Sequence, residues 1–227
     1  MNKDTKERFD RIHRHYDFFN HLFSFGLDIS WRAEAARESV MPSRSYKVLD
    51  VATGTGDFAI AISRAASSRG KTANITGMDM NGNMLAHARS KIASAGLADI
   101  SVEKGDAMNM RYEDASFDVV TSAFALRNFD SVDRFAEETY RVMKKGGRFV
   151  MVDMAMPDRN AGAARAYFKV IEAVGSVVGK KAYKWLTYSI INFDKEAAAK
   201  KFRKSGFSEV KVRSLRSGIA FMITGRK

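Results

Sequence analysis

Between Lys47 and Met154, apolar strand-like runs alternate with segments patterned as helices. KVLDVA (47–52) precedes a helical segment over 57–68, and NITGMDM (74–80) precedes one over 82–95 that Gly96 closes. DISVEKG (99–105) leads into a polar connection. FDVVTSAF (117–124) precedes a helix over 131–144, closed by Gly146-Gly147, and RFVMVDM (148–154) is the fifth strand. Strands joined through crossover helices run parallel, and a parallel sheet must be covered on both faces. The rhythm then breaks. Residues 159–178, 181–191 and 194–205 read as helices. EVKVRSL (209–215) and IAFMITGR (219–226) are strands joined only by Arg216-Ser217-Gly218, a link short enough to require an antiparallel hairpin. The expectation is an α/β, Rossmann-like, seven-stranded sheet of five parallel strands plus a C-terminal antiparallel hairpin, with helices on both faces and a helical lid.

At the N-terminus, Phe9, Ile12, Tyr16, Phe19 and Phe23 share one face of a helix expected over 4–23, and a second helix is expected over 30–41. No second independent core is visible. We therefore expect a single domain over 1–227, with a cap (1–45), a ligand-binding core (46–154), lid helices (155–195) and a C-terminal helix and hairpin (196–227).

The 227 residues include no cysteine, which excludes disulfides, thiolate zinc sites and cysteine nucleophiles and suits a reducing cytosol. His13 and His15, two apart on a presumed helix, diverge, and no metal is expected. No apolar leader precedes the first helix, and no run approaches the roughly 18 uninterrupted apolar residues of a spanning helix. A cytoplasmic location is expected, with the membrane surface left open. The net charge of +12 suits nucleic acid, an anionic membrane or simple solubility, and its basic residues are spread along the chain.

Ligands of open α/β sheets sit beyond the carboxyl ends of the strands. The first strand ends in Asp50-Val-Ala-Thr-Gly54-Thr55-Gly56, a turn that fits G-x-G-x-x-A with Ala59 and leaves a dinucleotide open. Asp79 ends the second strand, where an acid can accept both hydroxyls of a ribose, and Met80 follows it. Asp106 and Ala107 follow the third strand, and an acid there suits an adenine amine. Asp50 distinguishes the ligands. Its carboxylate would repel a pyrophosphate but attract the sulfonium and ammonium of S-adenosylmethionine. The terminal hairpin points the same way.

This combination resembles the class I S-adenosylmethionine-dependent methyltransferases. Three longer stretches resemble one family within them, the UbiE/MenG C-methyltransferases of ubiquinone and menaquinone biosynthesis: FDRIHRHYDFFNHLFSFGLDISWR (9–32), SAFALRNFDSVDRFAEETYRVMKKGGRFVMVD (122–153) and AYKWLTYSIINF (182–193). The family usually carries Gly, Glu, Pro and His where Ala125, Asp153, Asp194 and Ile223 stand here. By the resemblance, Thr55, Asp79, Asp106 and Ala107 bind S-adenosylmethionine. Asp50, Gly54 and Gly56 shape and line the pocket, and Ala123 lies beside it. The implied acceptor is the ring carbon of a reduced prenylated quinone, a demethylmenaquinol-like compound, with another small aromatic or lipid as the alternative. Contact with an anionic membrane and a homodimer are open.

A neutral aromatic carbon is a poor nucleophile until a neighbouring phenol ionises, and a free phenol titrates near pH 10. A cation or base must help at neutral pH. Arg127 is the candidate cation, Asn128 its orienting neighbour, and Asp153 at the end of the fifth strand a candidate base. Tyr16 and Asn20 are candidates to meet the acceptor. Nucleic acid is not expected. After strand four the chain holds Ala-Phe-Ala-Leu-Arg rather than the Asn/Asp-Pro-Pro-aromatic of amino-base methylation.

Overall fold

The computed structural model describes residues 24, 26–157, 162, 164–169, 186–215 and 218–227. The helix expected over 4–23, with Tyr16 and Asn20, lies outside the described residues, as does much of the lid. In chain order the elements are α1 (Leu27–Glu38), β1 (Ser45–Val51), α2 (Asp57–Ser67), β2 (Thr72–Asp79), α3 (Gly82–Ser94), β3 (Ile100–Lys104) and β4 (Phe117–Ala123). A single 3-10 turn (Leu126–Asn128) leads to α4 (Val132–Val142), β5 (Met143–Met154), α5 (Lys195–Lys204), β6 (Ser208–Ser214) and β7 (Ala220–Arg226). Residues 164–169 and 186–191 are also helical.

The seven strands form one sheet in the order β3-β2-β1-β4-β5-β7-β6. β1 through β5 pair in parallel, and β7 inserts antiparallel between β5 and β6. The chain leaves β1 toward β2 on one side and leaves β4 toward β5 on the other. That reversal opens a crevice above the carboxyl ends of β1 and β4.

Both faces of the sheet are covered, as alternation along the strands shows. In β5, Val150 and Val152 pack with Trp31, Phe58 and Ile62 of α1 and α2. Phe149 and Met151 point the other way, toward Phe135 of α4 and Phe202 of α5. In β7, Ala220 and Met222 join the first core and Phe221 and Ile223 the second. Consecutive apolar residues on a doubly covered strand are what a period of two requires.

Two boundaries differ from expectation. α1 starts a turn earlier, because Gly26 at φ 73° supplies the left-handed N-cap. β5 starts at Met143, where the backbone turns extended at ψ 141° and ends α4. Gly146-Gly147 is thus an irregularity within the strand rather than a helix stop. Gly146 has φ 79°, and a Cβ on Gly147 would approach the Asp118 carbonyl to 2.7 Å. Asp194 caps α5 by accepting from the N–H groups of Glu196 (3.0 Å) and Ala197 (2.9 Å).

Candidate active site

The turn after β1 is built for close approach. Thr53 N–H donates to the Met78 carbonyl at 3.0 Å, and Gly56 N–H donates to the Thr53 carbonyl at 2.9 Å. Gly56 itself has φ 85° and starts α2, and a Cβ there would press on Ala88 of α3 at 3.3 Å. Its role is in the turn and in helix packing.

Gly54 N–H donates to Asp79 Oδ2 at 2.9 Å, and Asn81 N–H donates to Oδ1 at 2.8 Å. Asp79 is therefore fixed between the first two βα turns, and burial pushes its carboxyl above the usual carboxylate range. Asp106 is oriented by the Met108 N–H, which donates to Oδ1 at 2.9 Å. Gly54, Asp79, Met80, Asp106, Ala107 and Ala123 border one cavity. Its other walls include Met78, Met84, Met108, Asn128 and Phe129.

An adjoining cavity is bordered by Arg32, Asp50, Thr53, Thr55, Asp57 and Phe124. Asp50 is fully buried and accepts from Thr53 Oγ1 (2.7 Å) and Thr121 Oγ1 (2.8 Å). Burial outweighs these bonds and the nearby Arg32 charge and pushes its pKa up to about 6. Thr55 accepts from Lys91 Nζ at 3.2 Å, which also pairs with Asp57.

The donor set fits S-adenosylmethionine. Methionine side chains offer polarisable walls for a flat base. The acids suit hydroxyl and amine donors. Asp50 and Arg32 together suit the opposite charges of an amino-acid end. Asn128 Oδ1 is buried without a partner, an acceptor with no donor.

A third cavity lies against the same wall. Ser24, Asp28, Trp31, Arg32, Phe124 and Arg127 border it, together with the mostly apolar Met154, Phe168, Leu186, Thr187 and Ile190. Phe124 borders all three cavities. Its φ of 60° is unusual for a bulky residue. That backbone is fastened on each side. Phe124 N–H donates to the Val152 carbonyl at 2.7 Å, and its carbonyl accepts from Arg127 Nη1 at 3.2 Å and Asn128 Nδ2 at 3.4 Å. Arg32 lies over the Phe124 ring, 4.8 Å from its centroid.

Arg127 and Asp153 form a buried ion pair from Nη1 to Oδ1, with side-chain exposures of 4% and 0%. Asp153 also accepts from the Arg127 N–H (3.1 Å) and the Met154 N–H (2.7 Å). Both of its oxygens are thus engaged. Arg127 Nε, by contrast, is buried without an acceptor.

Sequence reasoning did not single out Arg32 as a bridge between cavities, nor Asp28, nor Phe124. The spacing Asp28 to Arg32, four apart on a helix, was a visible signal for the pair. Nothing in the sequence marked Phe124, whose importance comes from its backbone.

The fold is shared with a SAM-dependent methyltransferase from Aquifex aeolicus, at a TM-score of 0.61 and 18% identity, covering 85% of this chain and 88% of that one. Acids that suit an adenosine and a buried carboxylate that suits a cation stand at the switch point of this sheet. The model of the ubiE/COQ5 methyltransferase family matches residues 1–227, and the chain belongs to that family. The demethylmenaquinone methyltransferase of Deinococcus radiodurans is 40% identical over 229 residues, 98% of this chain and 92% of the relative. That of Staphylococcus saprophyticus is 36% identical over 236 residues, 100% of this chain and 99% of the relative.

Proposed function

We propose that the enzyme methylates a ring carbon of a reduced prenylated quinol of the demethylmenaquinol type, in quinone biosynthesis. Family membership and the names of the full-length relatives support the acceptor. The single observation in the site that carries the reading is Arg127, a buried cation that borders a largely apolar cavity and whose Nε has no acceptor. A phenolate oxygen is the partner it lacks.

Bound S-adenosylmethionine supplies an electrophilic methyl group. Asp79 receives ribose hydroxyls, with Gly54 and Met80 alongside, and Asp106 and Ala107 receive the base. Asp50, Thr55 and Ala123 serve the amino-acid end. Arg127 stabilises the acceptor oxygen as its proton passes to solvent, so that charge reaches the ring carbon; that carbon would take the methyl while the methyl–sulfur electron pair stays on sulfur as a neutral thioether, and would then release its hydrogen as a proton to solvent. Asn128 borders the donor cavity with an acceptor oxygen to offer. Asp153 holds Arg127 in place, accepting from its Nη1 and its backbone N–H and from the Met154 N–H. The test is methyl transfer from labelled S-adenosylmethionine to reduced demethylquinones, other phenols and bulk RNA. Label is expected in the reduced quinones, and label confined to RNA or to other phenols overturns the assignment.

An isoprenoid tail brings the acceptor from a membrane, and the enzyme works at its surface. Among the described residues no helix is long and apolar enough to cross a bilayer. Ile29, Tyr188 and Ile191 are exposed, each next in sequence to a residue bordering the third cavity, on a chain of net charge +12. Basic side chains near an anionic surface contribute about 1 kcal/mol each, and salt screens them. Flotation with anionic but not neutral vesicles, reversed by salt, is the expected result. Equal recovery with both vesicle types removes the electrostatic contact.

A further inference from the structure

The connection between β3 and β4 borders the donor cavity with Asp106, Ala107 and Met108, and α4 fastens it. Residues 105–116 form neither helix nor strand, and a single bridge pairs Asp106 with Asn109. Backbone groups of this segment turn instead to three side chains of α4, Arg134, Glu138 and Arg141, whose spacing puts them on one face of the helix. Arg134 Nε donates to the Met108 carbonyl at 3.1 Å. Glu138 Oε2 accepts from the Met110 N–H at 2.7 Å. Arg141 donates through Nη2 to the Met110 carbonyl and through Nη1 to the Tyr112 carbonyl, both at 2.7 Å. Glu138 is 2% exposed and lies between the two arginines, 3.3 Å from Arg134 Nη2 and 3.0 Å from Arg141 Nη2. Burying a carboxylate is costly even when it is paired, and packing a helix on a sheet does not require one. The near end of the segment is tied to β2, where the Gly105 N–H donates to the Asp79 carbonyl at 3.0 Å. The three residues that border the cavity thus lie between two ties.

We propose that Arg134, Glu138 and Arg141 are positioning residues for the methyl donor, holding Asp106 where its carboxylate accepts the adenine amine while Asp79 holds the ribose. The inference rests on the reading that Asp106 and Ala107 receive the base, and deepens it. Asp79 and Asp106 stand on separate turns, and a nucleoside is rigid enough that one separation of the two acids serves both of its ends. A segment without strand pairing of its own would let that separation vary. None of the three α4 side chains borders the cavity, so they act through the backbone they hold. The planar fork of Arg141 meets two carbonyls and a carboxylate at once, which the single ammonium of a lysine does not copy. Bonds of this kind, with a charged donor or acceptor, are the strong ones.

The test measures, by calorimetry, dissociation constants for S-adenosylhomocysteine and for its purine counterpart, which lacks the 6-amino group. The wild type is expected to bind the adenine form at least about tenfold more tightly, the range of a hydrogen bond to a charged group. Arg141→Lys should bring that ratio below about threefold. Arg134→Ala removes a half-exposed side chain and one tie, and should lower the ratio less. If Arg141→Lys does not fold, Arg134→Ala serves alone. A role confined to stability lowers the melting temperature and leaves the ratio at its wild-type value. That result in the folded Arg141→Lys, or in Arg134→Ala when it replaces it, overturns the proposal. Asp106→Ala separates the two readings. A ratio near one there, beside an unchanged ratio in the α4 variant, leaves the base site standing and removes only the positioning role. A ratio that Asp106→Ala does not change overturns the base reading itself, and this inference with it.

Discussion

Arg127→Ala is expected to lose both stability and turnover, and only stability should return when Asp153 is replaced by asparagine as well. Arg127 and Asp153 are a buried pair, 4% and 0% exposed at their side chains. Removing the cation leaves a carboxylate with two backbone N–H donors in a site that water does not reach. Breaking such a pair from one side costs about 3–5 kcal/mol. In Arg127→Ala/Asp153→Asn no charge is stranded, and most of that loss should be recovered in a denaturation curve. Turnover has a separate origin. If Arg127 stabilises a phenolate, single and double variants alike should fall by about 10²–10⁴-fold. The residual rate should climb with pH toward the phenol's own pKa of about 10, as hydroxide takes over the ionisation. A double variant that regains turnover together with stability makes Arg127 a structural residue only.

The apoenzyme is expected to become less stable as the pH rises from about 4 to 6, and the dependence should shrink in Asp50→Asn, where only the raised Asp79 carboxyl still acts in that sense. Asp50 titrates at about 6 when folded, above the ordinary 3.8. The folded protein therefore keeps a proton that the unfolded chain has already released over that window. Folding is favoured below it, and the advantage is lost as pH rises through 6, amounting to about 3 kcal/mol by neutral pH. Glu138, held below the usual range by Arg141, acts in the opposite sense at lower pH, so the comparison that counts is wild type against Asp50→Asn. That variant should be at least as stable as wild type at pH 7. It should also bind S-adenosylmethionine less well, because a cation beside Asp50 favours the carboxylate. Binding to the wild type near pH 6 should then release a proton, read as a difference in calorimetric heat between buffers of unlike ionisation enthalpy. Equal heats, after correction, would separate Asp50 from the cationic end of the ligand.

The sheet was legible because its strands are short apolar runs between helical periods, and each of the seven appears within a few residues of where the pattern put it. The acids at the strand ends were legible for a related reason: an acid that breaks an apolar run at its carboxyl end has few purposes in such a sheet. Start of β5 was not legible, since Gly146-Gly147 behind a helix reads as a terminator, and only pairing of Met143 with Phe117 reveals a kinked strand. The partnership of Arg127 with Asp153 was hidden as well. The two are 26 residues apart, Arg127 in the 3-10 turn after β4 and Asp153 near the end of β5, and nothing in the sequence named one as the partner of the other. Phe124 was invisible for a third reason, because its role depends on a backbone angle that no local pattern of residue types encodes.

Phe124 and Arg32 also bear on how such an enzyme can acquire a new acceptor. Both border the cavity beside Asp50 and the third cavity, which we propose hold the amino-acid end of the donor and the acceptor, so a substitution in either alters both compartments. Effects of mutations on this wall will not add. A lineage under selection for a different phenol would lose grip on its methyl source if it changed here. Phe168, Leu186, Thr187 and Ile190 border the third cavity from the helical residues described beyond β5 and neither donor-side cavity. Acceptor range is free to drift in those helices, while the wall behind Phe124 stays under the joint constraint of both ligands.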